Sequence, residues 1–181
     1  MGQMMKQVLS VFILCSTLAF STYAQTAKPL SDDVIAANKE LDRQLLEAHR
    51  LLDTEKVMAL FTSSPDIFFI SPGRGELFTG HERFRRSWAQ FFDSLQWIHG
   101  EIDHITYLRE GEGVIGNGQV TYSRQLKGGK PDQRIVVWTD FRHKENGKWV
   151  YVFRHAHLTG GALPDAKPSA AAPSPKSPKN E

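Results

Sequence analysis

The stretch QRIVVWTDFRHKENGKWVYVFRHAHLT, Gln133–Thr159, decides the fold. β-Branched and aromatic residues fill both of its halves, a composition that suits a pleated, half-buried surface. Glu145-Asn146-Gly147 divides it, and Asn-Gly is the strongest short hairpin signal because the tight turn needs residues that tolerate positive φ. Two earlier segments, Glu101–Arg109 and Gly118–Lys127, have the same composition; Gly111-Glu112-Gly113 and Gly128-Gly129-Lys130-Pro131 mark the breaks between them. Long strands joined by short turns predict an antiparallel meander.

Upstream of the meander the period changes. Ser31 followed by Asp32 and Asp33 is a helix start, and Ile35, Leu41, Leu45, Ala48 and Leu52 then recur at helical spacing. Asp53-Thr54-Glu55 opens a second, short helix carrying Val57, Leu60 and Phe61, which Ser63-Ser64-Pro65 ends. Ile67–Ser71 reads as a strand and Pro72-Gly73-Arg74-Gly75 as a turn. After Gly80, the residues Phe84, Trp88, Phe91, Phe92 and Leu95 form the apolar stripe of a third helix. Helices followed by strands imply an α+β fold, with three helices packed on one face of a curved antiparallel sheet.

The ends differ from this unit. Lys6 precedes an apolar run from Val8 to Phe20, and Ser21-Thr22-Tyr23-Ala24 precedes Gln25, the pattern of a secretory signal over residues 1–24. The run is shorter than the roughly 18–20 apolar residues of a membrane span. The expectation is a periplasmic or secreted protein with no stable membrane insertion after cleavage. Cys15, the single cysteine, would leave with the signal, which excludes disulfides and thiolate metal sites from the mature chain. Residues 161–181, rich in proline, alanine and lysine, read as a disordered tail, so the folded unit is expected over 29–160. With 22 basic against 20 acidic residues, no polycationic surface for nucleic acid is expected.

Asp66-Ile67-Phe68-Phe69-Ile70-Ser71-Pro72, then Thr79-Gly80 opening the third helix, resembles the SnoaL-like pattern of the nuclear transport factor 2-like superfamily. Gly147-Lys148-Trp149-Val150-Tyr151-Val152-Phe153-Arg154-His155 is similar to the last strand of the association domain of calmodulin-dependent protein kinase II. The resemblance covers most of Ser31–Thr159 and implies a cone-shaped sheet around a cavity closed by the helices. Ketosteroid isomerase, another member, carries a carboxylate base, an oxyanion-binding tyrosine and a protonated aspartate. Their counterparts here are Ser71, Leu45 and Thr139, so the resemblance implies that this isomerase activity is absent.

The same comparison places His49 one turn beyond Leu45, on the same helix face. It turns Val150, Val152, Arg154 and Ala156 inward on the last strand and Tyr151, Phe153, His155 and His157 outward. Arg124 resembles an arginine that the association domain turns into its pocket. An interior guanidinium needs a carboxylate, such as Asp140, or an anionic ligand. Which of Thr139 and Asp140 faces inward is left open.

The candidate ligand-binding residues are therefore Arg124, Arg154, Ser71, Trp88 and Thr139, and the candidate catalytic pair is His49 as base with Asp140 orienting it. His155 and His157 share a strand face, but no third ligand completes a metal site unless His143 arrives from the neighbouring strand. No metal and no cofactor are expected. Three functions stay open: a small-molecule binding protein taking an anionic ligand, a SnoaL-like lyase, isomerase or cyclase, and an association module. Relatives pair through the outer sheet face, so a homodimer built on Trp149, Tyr151 and Phe153 is expected.

Overall fold

The computed structural model describes residues 29–72 and 75–160; the expected signal segment and tail lie outside the described residues. Its helices are α1 (Asp32–Arg50), α2 (Thr54–Met58) and α3 (His81–Asp93). Its strands are β1 (Phe68–Ile70), β2 (Leu77–Thr79), β3 (Leu95–Glu110), β4 (Gly113–Leu126), β5 (Pro131–Glu145) and β6 (Lys148–Gly160). The class is the α+β arrangement the sequence implies.

Local chemistry accounts for the helices. Asp32 and Asp33 in the first turn of α1, and Arg50 in its last, match the signs of the helix dipole. Ser31 occupies the N-cap without a side-chain cap bond, whereas Asp53 Oδ1 caps α2 by accepting from the Lys56 amide at 2.9 Å. Helix α3 stops at Asp93, so Leu95 opens β3 instead of closing the helical stripe.

Strand β3 begins at Leu95 and β4 at Gly113, ahead of the expected Glu101 and Gly118, and glycines inside β4 are close-packing positions. A Cβ at Gly116 would stand 2.6 Å from Asp140 Oδ1, and one at Gly118 would stand 2.8 Å from the Trp138 ring.

The six strands lie in the order β2-β1-β6-β5-β4-β3. Strands β3 to β6 form the expected antiparallel meander. Strand β1 pairs antiparallel with β2 but parallel with β6, so the sheet is mixed. A parallel pair needs a long crossover, and α3 with the first three meander strands supplies it. The core fills the space between the helices and the concave face, with Leu41, Leu45, Phe61, Phe84, Phe92 and Tyr151 all buried.

One irregularity corrects the expected facing of β6. Phe141 pairs with Phe153 and Arg142 with Tyr151, which leaves Val152 as an extra residue in a bulge. Arg154 and Ala156 are on the concave face as expected, but the bulge changes the phase, and Tyr151 joins them, fully buried against Phe61. The expected outer row of Trp149, Tyr151 and Phe153 therefore does not form. The register instead aligns Leu108, Ile115, Phe141, Phe153 and Phe68 across the convex face, with the Phe68 and Phe153 rings stacked at 4.9 Å.

Candidate functional site: a cavity between two arginine clusters

A cavity of about 430 Å³ opens between the concave sheet, α1, α3 and the β1–β2 hairpin. Leu45, Phe69, Trp88, Phe91, Ile98, Val136 and Leu158 make most of its wall apolar. Three guanidinium groups, those of Arg124, Arg134 and Arg154, also line it.

At one end lies a closed set of ion pairs. Asn38, Asp42, Leu45 and His49 stand on the buried side of α1, and Asp42 faces the sheet. Arg142 on β5 is fully buried. It donates to Asp42 at 2.8 and 2.9 Å and to Asp140 at 2.6 and 3.1 Å. Tyr107 and Tyr151 each donate to Asp42, at 2.7 and 2.8 Å. Arg154 donates through Nη1 to Asp140 at 2.8 Å, and its Cζ lies 4.7 Å from the Trp138 ring centroid. Burial pushes the Asp140 carboxyl up, opposed by the charges of Arg142 and Arg154. Two cations meet two anions, and hydrogen bonds cover both carboxylates, the condition under which buried charge is tolerated.

His49 stands two turns further along α1. Its Nδ1 shares a 2.9 Å hydrogen bond with the Tyr122 hydroxyl, and its ring lies 4.8 Å from that of Trp88. Nε2 is buried and has no hydrogen-bond partner among the described residues. Burial, helped by the neighbouring Arg154 charge, pushes the imidazole pKa down to about 3. Burial also raises the Tyr122 hydroxyl to about 12, so the pair is neutral near pH 7.

At the other end, Asp132 bridges two arginines, accepting from Arg124 Nε at 3.0 Å and from Arg134 Nη2 at 2.5 Å. Arg134 is 7% exposed, and its Nε is buried without a partner among the described residues.

Of the sequence-predicted residues, His49, Ser71, Trp88, Arg124 and Arg154 line the cavity. Thr139 does not: it pairs with His155 on the convex face, while its neighbour Asp140 faces inward. Asp140 does not orient His49. Two guanidiniums occupy it, and Tyr122 takes its expected place at the imidazole. His155 and His157 are exposed on the convex face with ring centroids 6.0 Å apart, and His143 is engaged by Glu145 at 2.9 Å. Among the described residues no group of three metal-ligating side chains comes together.

Sequence reasoning missed Asp42, Tyr122, Arg134 and Arg142. The alternation Arg134-Val136-Trp138-Asp140-Arg142 was the available signal for two of them: one strand face, apolar at the centre and charged at both ends.

A curved sheet enclosing a pocket under α1 and α3 defines the nuclear transport factor 2-like class of α+β proteins. Residues 39–158 match the profile of the SnoaL-like domain, and the chain belongs to that family. Among solved structures, a protein of the NTF2-like family from Streptomyces avermitilis has a TM-score of 0.65 at 16% identity, covering 72% of this chain and 99% of that one. A type 2 hexachlorocyclohexane dehydrochlorinase has a TM-score of 0.63 at 15% identity, covering 78% of this chain and 95% of its own. A Xanthomonas campestris protein described as a calcium/calmodulin-dependent protein kinase II association domain has a TM-score of 0.58 at 20% identity, covering 77% and 94%. At these identities the likeness is one of fold. No curated protein matches the chain in sequence.

Proposed function

We propose that the protein is an exported homodimer that binds a small anionic molecule with an apolar body in its cone cavity. The observation that carries this is the combination of three guanidinium groups with an otherwise largely apolar lining. Charge-assisted hydrogen bonds from arginine would fix the anion, and the aromatic wall would take the body.

The lyase, isomerase or cyclase alternative has less support. A general base works best with a pKa near the working pH, and the His49 imidazole sits at about 3 with a tyrosine, not a carboxylate, on its other nitrogen. The convex apolar row supports pairing of two copies, as does the likeness to a protein described as an association domain. Sedimentation at micromolar concentration is expected to give a dimer; a monomer alone defeats that part.

The test of binding is thermal denaturation of the mature chain with a panel of apolar carboxylates, phosphate monoesters and uncharged metabolites. A ligand at a hundredfold excess over its Kd stabilises by about 2.7 kcal/mol, a shift of several degrees for a domain of this size. Some of the anions are expected to produce it. A shift confined to uncharged compounds, or absent throughout, defeats the reading.

A further inference from the structure

The two arginine clusters differ in charge, and the difference assigns an orientation to the ligand. Arg142 and Arg154 are matched by Asp42 and Asp140, so the deep end carries no net charge. Arg124 and Arg134 share the single carboxylate of Asp132, so the rim carries one positive charge in excess. Glu76, an exposed acid of the lining, forms no ion pair with these guanidiniums among the described residues.

We propose, resting on the anion-binding reading above, that the anionic head of the ligand sits at the rim on Arg124 and Arg134, and that the ligand presents a neutral oxygen, a hydroxyl or carbonyl, to His49 and Arg154 at the deep end. The rim has a donor waiting: Arg134 Nε is buried and unpartnered. An anion placed instead at the deep end would be desolvated with no net countercharge to meet it. What the deep end offers is one unfilled position on a neutral imidazole and the remaining donors of Arg154, a match for a neutral oxygen.

The space between the two ends is apolar. Arg134 and Asp140 stand six residues apart on β5, and the side chains of Arg134 and Arg154, which line the cavity, take up part of that length. Val136 and Trp138 lie between them on the same face, with Leu158 and Ala156 opposite on β6. A ligand that spans the cavity lays its apolar body over Val136, Ala156 and Leu158, which line it.

The experiment is titration calorimetry with decanoate, methyl decanoate and ω-hydroxydecanoate. Decanoate is expected to bind at least roughly tenfold more tightly than its methyl ester, the value of a hydrogen bond to a charged group. The ω-hydroxyl is expected to add roughly fivefold, and His49→Phe to remove that increment, so that this variant binds the two acids alike. Arg134→Met is expected to abolish the preference for the acid over the ester. Asp132→Asn, which raises the excess charge at the rim, is expected to tighten decanoate severalfold, a gain that a merely structural aspartate would not produce.

Decanoate weakened by Arg154→Met but not by Arg134→Met places the anion at the deep end, which overturns this orientation and leaves the anion-binding reading intact. Equal affinity for acid and ester overturns both. Failure of all three compounds to bind counts against both as well.

Discussion

The deep end and the rim of the cavity are built from the same side chains, arginine and aspartate on one concave sheet, yet they do different things with them. At the deep end four charges cancel and are joined by two tyrosine hydroxyls, and the side chain of Arg142 is fully buried. At the rim two arginines contend for one aspartate that stays 31% exposed. The closed, neutral set has no net charge to offer, and Arg142 within it ties Asp42 of α1 to the sheet. The open set has a charge to spare and, on the proposed reading, contributes less to the fold and more to recognition. What separates the two clusters is balance, not burial, since Arg134 and Arg154 are equally buried at 7% exposure.

The comparison breaks first at Arg142. Its replacement by methionine leaves Asp42 and Asp140 buried with one guanidinium between them, and removing one partner of a buried ion pair costs about 3–5 kcal/mol. That is a large part of the about 5–15 kcal/mol by which a domain is stable. Asp132→Asn, at a pair that still meets water, is expected to cost about 1 kcal/mol. Urea denaturation of both variants beside the parent chain measures the difference. Equal losses would mean that the rim is as much a part of the fold as the deep cluster.

How far this contrast could be read from the sequence depends on the range of the interactions involved. Helices α1 and α3 are written in local periodicity, and the meander in β-rich runs parted by Asn-Gly and Gly-Gly. Those signals reach only a few residues. The early start of β4 is not announced locally, because Gly116 makes room for Asp140 on the next strand. The parallel pairing of β1 with β6 and the bulge at Val152 are likewise long-range outcomes. The resemblance to the isomerase turns Arg154 inward correctly because the bulge precedes it, and fails for Tyr151 on the other side of the bulge.

The deep cluster was out of reach for the same reason. Arg142 and Asp42 are 100 residues apart in the chain, and no local pattern announces that they meet. The sequence allows Asp140 to pair with either His49 or an arginine. The choice between them rests on the position of α1 over the sheet, which leaves Tyr122 nearest the imidazole.

His49 stands near Arg154 at the deep end and is expected to report which of the two regions a ligand charge approaches. An unburied histidine titrates near 6.5, and here burial and Arg154 hold the imidazole at about 3. Between those values the unfolded chain takes up a proton that the folded chain refuses. The contribution of His49 to stability is therefore complete above about pH 6.5, and falls with decreasing pH at about 1.4 kcal/mol per pH unit until about pH 3. Glutamine at this position keeps a hydrogen-bonding side chain but cannot take the proton. The stability of the parent chain minus that of His49→Gln is thus expected to decline with that slope from about pH 6 to about pH 4. Decanoate sharpens the measurement. An anion held at the rim leaves the slope in place, because the surroundings of the imidazole are unchanged. An anion drawn to the deep end would stabilise the imidazolium and flatten the difference, and the assignment of recognition to the open cluster would then be wrong.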